Sequence, residues 1–156
     1  MSITLALLLL SIVKSCKIGG INLRKLRKTT ITCQWLQYSM TYAPCQNDVS
    51  CNGEEYTVIQ QAISECWYLA QSSEKPDTYE NEINGVATYT LAYEDGESAF
   101  GCPDQNDQRR KLKINFFCDS EDYNEPLTTC GEEPTCEFYL NIHTSAACDI
   151  GYTSVG

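Results

Sequence analysis

The chain has one histidine and two tryptophans in 156 residues, and none of its ten cysteines stands in a C-x-x-C pair. The closest cysteines, Cys45 with Cys51 and Cys130 with Cys136, have five residues between them. Structural zinc needs tighter pairs with histidines nearby, so a metal centre is excluded and disulfides are expected. Disulfides in turn imply an oxidising compartment. There is no glycine-rich phosphate loop, no internal repeat and no N-x-S/T acceptor for N-glycosylation. Positive charge is scarce too, with 11 Lys and Arg against 21 Asp and Glu. No cofactor is implied by any of these patterns.

Catalytic patterns are equally thin. His143, the sole histidine, stands on the outward face of an alternating stretch and follows no nucleophile motif. Glu54-Glu55 and Glu132-Glu133 are carboxylate pairs of the kind glycoside hydrolysis uses, but adjacent acids arise by chance in so acidic a chain. No enzyme is expected.

A long apolar run occurs once, at Ile3 to Val13. It is too short for the ~20 residues that span a bilayer and suits a signal-peptide core. Cleavage after Ser15 would leave Cys16 at the new N-terminus. The expected organisation is a signal peptide at 1–15, a basic segment at 16–32, a domain at 33–149 and a tail at 150–156. No later segment is expected to cross a membrane.

Charge divides along the chain. Residues 1–28 hold six positives and no acid, whereas residues 29–156 hold five positives and all 21 acids. Such a body repels nucleic acid and anionic membranes. The run "LRKLRK" at 23–28 reads as a solvated linker or an interaction tail. Four of the five later positives, Arg109, Arg110, Lys111 and Lys113, crowd into five residues ahead of Cys118.

The hydrophobic period in the body is two. Residues 86–93, "VATYTLAY", are β-branched and aromatic and end at the turn signal "EDGE". Leu112, Ile114 and Phe116 alternate with Lys111, Lys113 and Asn115; Phe138, Leu140 and Ile142 alternate with polar neighbours. Tyr56 to Leu69 reads as strand as well. The expected fold is all-β, a flattened β-barrel or two packed antiparallel sheets stapled by disulfides.

Within that framework the C-terminal half spells "GC…R-x-L-x-I-x-F-x-C…E-x-x-C-x-F-x-L-x-I-x-T-x-x-A-C", from Gly101-Cys102 through Arg110, Cys118, Glu133, Cys136 and Phe138 to Ala147-Cys148. This resembles the mannose 6-phosphate receptor homology domain, a family that includes the mannose 6-phosphate receptors, the β subunit of glucosidase II and endoplasmic reticulum lectins. The resemblance covers roughly residues 33–149. Upstream, "YTVIQQ", "CWYLA" and "NGVATYTLAYEDGE" are similar to the family's order of strands and turns.

The resemblance implies a carbohydrate site. Arg110, eight residues before Cys118, would give its guanidinium fork to mannose hydroxyls, which a planar group with five donors can bridge. Gln60 or Gln61 would be the site's glutamine. Glu133, with Glu132 as the alternative, would accept hydrogen bonds from the sugar. Phe138 stands where the family usually has tyrosine, and Tyr139 would point to the opposite face. The lost hydroxyl removes a bond worth about 1–3 kcal/mol, roughly 5- to 150-fold in affinity.

The same resemblance implies the pairs Cys102–Cys136 and Cys118–Cys148. Cys45–Cys51 is read as a short local bridge and Cys33–Cys66 as a further pair, which leaves Cys16 and Cys130 over. Two functions are implied. One is a secretory-pathway lectin for mannose-bearing N-glycans or glycoproteins, with the luminal part of a lysosomal-enzyme sorting receptor as one setting. The other is a non-lectin member acting as a protein-interaction or folding module. Phosphorylated mannose is disfavoured by the acidic body. The chain is placed in the lumen of the endoplasmic reticulum, Golgi or endosome, or outside the cell.

Overall fold

The structure, a computed structural model, describes residues 16–27, 29–46, 49–103, 108–121 and 126–148. The signal-peptide expectation at 1–15 and the tail at 150–156 lie outside the described residues. Within them the chain forms β1 (Lys17–Ile18), β2 (Ile21–Asn22), β3 (Ile31–Trp35), β4 (Tyr38–Tyr42), β5 (Val49–Cys51), β6 (Glu54–Tyr56), β7 (Val58–Gln61), β8 (Cys66–Ala70), β9 (Asp77–Ile83), β10 (Val86–Tyr93), β11 (Lys111–Cys118), β12 (Leu127–Glu132) and β13 (Glu137–Thr144). Among the described residues there is no α-helix, only single 3-10 turns at Arg24–Leu26 and Ser145–Ala147. No helix there is long and apolar enough to cross a membrane.

Two sheets carry the fold. One has the strand order β3-β4-β7-β8 and the other β12-β13-β11-β10-β9, with β1–β2 and β5–β6 as small separate hairpins. Strands of mixed apolar and polar residues bury one side chain in two: Leu112, Ile114 and Phe116 on β11, and Phe138, Leu140 and Ile142 on β13, are all buried. They meet Met40, Tyr42, Val58 and Leu69 from the other sheet in one shared core. Burying each large apolar side chain contributes about 1.5–3 kcal/mol, and this face-to-face packing is the main source of stability.

The arrangement refines the expected one. The sheets stay open, so the two-layer form is realised rather than a closed barrel. The larger sheet is not wholly antiparallel, because β11 and β13 run parallel. Parallel neighbours need a crossover. Here β12 lies in that crossover, on the far side of β13.

The basic segment is not a solvated linker. Cys16, Ile21, Leu23 and Leu26 are buried in the main core, while Arg24 and Lys25 remain at the surface. Apolar residues at 21, 23 and 26 face inward through a short hairpin and a 3-10 turn, and the charges face out. Lys25 Nζ donates to Ser145 Oγ at 3.0 Å, tying the segment to the C-terminal turn.

Five disulfides form: Cys16–Cys45, Cys33–Cys130, Cys51–Cys66, Cys102–Cys136 and Cys118–Cys148. The last two agree with the implied pairs. The Cys45–Cys51 and Cys33–Cys66 pairings are corrected. Cys51 ends β5 and reaches the start of β8, whereas Cys45, in the turn after β4, reaches the N-terminal segment. Cys33 sits on β3, an edge strand of one sheet, and Cys130 on β12, an edge strand of the other. Their bridge therefore closes one side of the sandwich.

Candidate functional site

Strand register decides which candidate residues share a face, since directly opposed residues of an antiparallel pair point to the same side. Across the smaller sheet Cys33 opposes Met40, Met40 opposes Gln60, and Gln60 opposes Trp67. This row faces the core, because Cys33 and Met40 are buried. Gln60 therefore points inward and is only 5% exposed, whereas Gln61 is exposed. Of the two glutamines, Gln60 is on the inner face.

Its amide is incompletely paired. Gln60 Oε1 is buried and has no hydrogen-bond partner among the described residues. A buried acceptor without a donor carries a desolvation cost of about 1–3 kcal/mol.

Arg110 arrives over the same row from the other sheet. It stands two residues before the inward-facing Leu112, so alternation turns it inward. Its guanidinium lies 5.0 Å from the centroid of the Trp67 ring. Nη1 donates to the carbonyls of Glu97 at 3.2 Å and Ser98 at 3.3 Å. The segment 96–98 is itself held in place: Gly96 N donates to Arg110 O, and Glu97 N to Tyr68 O. Gly96 is needed there, since a Cβ would meet Arg110 O at 2.6 Å. Burial draws the Arg110 pKa down, with the carboxylates of Glu97 and Glu132 acting in the opposite direction. A guanidinium stays charged through such a shift.

With Nη1 directed at the two carbonyls, the Nε–Nη2 edge has no partner among the described residues. That edge presents two parallel N–H groups, the geometry that bridges a pair of neighbouring oxygens.

The acid on this face is Glu132. It opposes Phe138 in the β12–β13 register and so shares Phe138's inward side. Its Oε2 accepts from Cys136 N at 2.9 Å, which fixes the carboxylate across the turn. Glu133, one residue on, turns the other way by alternation and lines a groove with Lys111, Lys113 and Tyr139. Gln60 on the smaller sheet, and Arg110 and Glu132 on the larger one, all turn to the inner side, whereas Gln61 and Glu133 turn away from it.

Phe138 is 3% exposed and packs edge-on against Trp35, with centroids 6.2 Å apart. Trp35 in turn neighbours Tyr38 at 5.6 Å. Tyr139 does lie on the opposite face, where it covers Gly131 so closely that a Cβ there would meet its hydroxyl at 2.7 Å. Its hydroxyl therefore cannot serve the inner face beside Phe138. His143 is also on the outer face, stacked on Phe117 at 5.2 Å. No cluster of three His, Cys, Asp or Glu among the described residues could hold a metal ion.

No protein-family model and no curated protein matches the sequence. Solved structures do match. The MRH domain of Yos9, solved in complex with α3,α6-Man5, aligns with a TM-score of 0.54 at 15% identity, covering 80% of each chain. Domain 11 of chicken IGF2R aligns with a TM-score of 0.58 at 24% identity, over 83% of this chain and 84% of that one. Domain 11 of the echidna IGF2R receptor gives 0.54 at 24% identity, over 84% and 88%. The chain has the MRH fold.

Two residues of this MRH-like domain escaped the sequence reading, Trp67 and Trp35. A signal for the first was available. Gln60 and Trp67 are equidistant from the middle of the "AISE" turn at 62–65, so a simple hairpin about that turn sets them opposite each other. For Trp35 no such signal exists, because its contact with Phe138 joins different sheets.

Proposed function

We propose that this chain is a non-enzymatic lectin module of the secretory pathway. Its ligands are neutral mannose-type termini of N-glycans, and the luminal part of a lysosomal-enzyme sorting receptor is one setting for it. The observation that carries this reading is the unpartnered, buried Gln60 acceptor on the inner side of one sheet together with the open edge of Arg110 on the inner side of the other, with Trp67 beside both. A sugar hydroxyl donates to the first and a pair of neighbouring hydroxyls accepts from the second. Glu132 supplies a charged acceptor, and its negative field with that of Glu97 favours an uncharged sugar over a phosphorylated one. Titration calorimetry with a mannose disaccharide tests the proposal. Wild type binds and Arg110→Ala does not; no heat from wild type at millimolar sugar overturns the reading.

A second reading, a non-lectin protein-interaction module, is favoured by Phe138 and by three exposed apolar side chains. Leu36 is 90% exposed, Ile63 101% and Phe100 102%. Leu36 is in the β3–β4 turn and Ile63 in the β7–β8 turn, which the pairing of Ser39 with Gln61 sets at one end of the sheet. The segment carrying Phe100 runs back along β8 toward that end. Contiguous exposed apolar surface marks protein contacts, and these three side chains would supply it at that end of the sheet. Retention of a protein partner by Arg110→Ala, together with silence toward glycans, is the outcome that selects this second reading.

A further inference from the structure

Gln60 and Arg110 come from different sheets, yet one side chain neighbours both. Trp67 is the cross-strand neighbour of Gln60 on β8, and its ring lies under the Arg110 guanidinium at 5.0 Å. Arginine carries several rotatable bonds, and a free side chain would lose that freedom on binding a ligand. Two carbonyls hold Nη1 alone. The plane of the guanidinium, and hence the direction of its Nε–Nη2 edge, depends on the surface on which it rests. An aromatic face holds a cation at this distance and favours parallel packing of the planar group.

We propose that Trp67 is the positioning residue of the glycan site: its ring, next to Gln60 across the strand pair, fixes the plane and so the direction of the Arg110 fork. This deepens the lectin reading and rests on it. Trp67 is partly exposed, so its ring is not a buried core element whose loss empties the sandwich. Its neighbours are placed for the same purpose. Gly96 lets the strap at 96–98 approach Arg110 from one side while Trp67 supports the guanidinium from another. Glu97 and Glu132 face this guanidinium as well, and they pull on its charge without setting its plane.

The test uses the folded chain with its disulfides and two variants, Trp67→Phe and Trp67→Leu. Nuclear magnetic resonance of the Arg110 side-chain Nε–H gives a readout that needs no glycan. In wild type the resonance is displaced by the tryptophan ring current and exchanges slowly. Trp67→Phe keeps a smaller displacement, and Trp67→Leu loses it. Mannose-disaccharide affinity falls about 3- to 30-fold in Trp67→Leu and less in Trp67→Phe, the range a cation–π contact spans. An unchanged Arg110 resonance, or affinity in Trp67→Leu within twofold of wild type, overturns the proposal. If wild type binds no glycan, the lectin reading itself fails, and the resonance alone still decides whether Trp67 holds Arg110. Were Trp67→Leu to misfold, Trp67→Phe carries the same comparison.

Discussion

Replacing Gln60 with methionine should make the protein more stable and less able to bind sugar. The side chain is 5% exposed on the core face of β7, between Met40 and Trp67 on the neighbouring strands. Its Oε1 has no donor among the described residues. A buried acceptor left unpaired costs about 1–3 kcal/mol, and an apolar group of the same shape removes that cost. Methionine has nearly the same length and volume, so no cavity opens and overpacking is minor. Part of the gain is offset by losing whatever the amide nitrogen contributes. A net stabilisation of about 1–2 kcal/mol is expected, which for a chain of this size shifts the melting temperature by roughly 3–6 °C. Thermal unfolding with disulfides intact measures it, and calorimetry with a mannose disaccharide should show at least a tenfold loss of affinity. A lower melting temperature for Gln60→Met would refute the argument that the amide is held at a cost for a ligand. A higher one with affinity unchanged would refute its role in the site.

Phe138→Tyr should raise mannose affinity by roughly 5- to 150-fold, since it restores a hydrogen bond of about 1–3 kcal/mol; equal affinities in calorimetry would show that the ring edge does not reach the sugar. Removing the Cys33–Cys130 bridge by a double serine substitution should destabilise the fold by about 2–5 kcal/mol, because it closes a separation of 97 residues between the two sheets' edges. Denaturant unfolding measures this, and peptide mapping without reduction that joined Cys33 to Cys66 would contradict the pairing. Glu74 Oε1 accepts from the backbone N–H groups of Glu94 and Asp95 at the start of the segment that holds Arg110. Burial, the largest cause, raises its pKa above the usual 4.5. The folded state therefore binds this proton more tightly than the unfolded chain, so the stabilising effect is present below about pH 4.5 and is lost as pH rises through the folded value. Glu74→Gln should match wild type near pH 4 and gain on it toward neutrality; a constant difference across that range would exclude Glu74 as the source.

The strands were legible because alternation of apolar and polar residues is a local signal. The stretch 86–93 forms β10 with those very bounds, and the inward residues of β11 and β13 are the ones that alternate in the sequence. The same alternation separated Phe138 from Tyr139. The basic cluster at 109–113 was visible too, and the same alternation already set Lys111 and Lys113 apart from the inward residues. Arg110 turns in toward Trp67, while Lys111 and Lys113 line the groove with Glu133.

Alternation and cysteine count alone, then, specify an all-β, disulfide-rich domain with an arginine at the head of one strand and a phenylalanine on the inward side of another. The tertiary structure decided the rest. Period two says which residues of one strand share a side, yet it is silent on which strands lie together. Only that second fact pairs Cys33 with Cys130 and brings Trp67 under Arg110. The choices between Gln60 and Gln61, and between Glu132 and Glu133, each turn on a register of one residue. One step along an extended chain moves a side chain to the opposite face, and cross-strand pairing alone sets where the count begins.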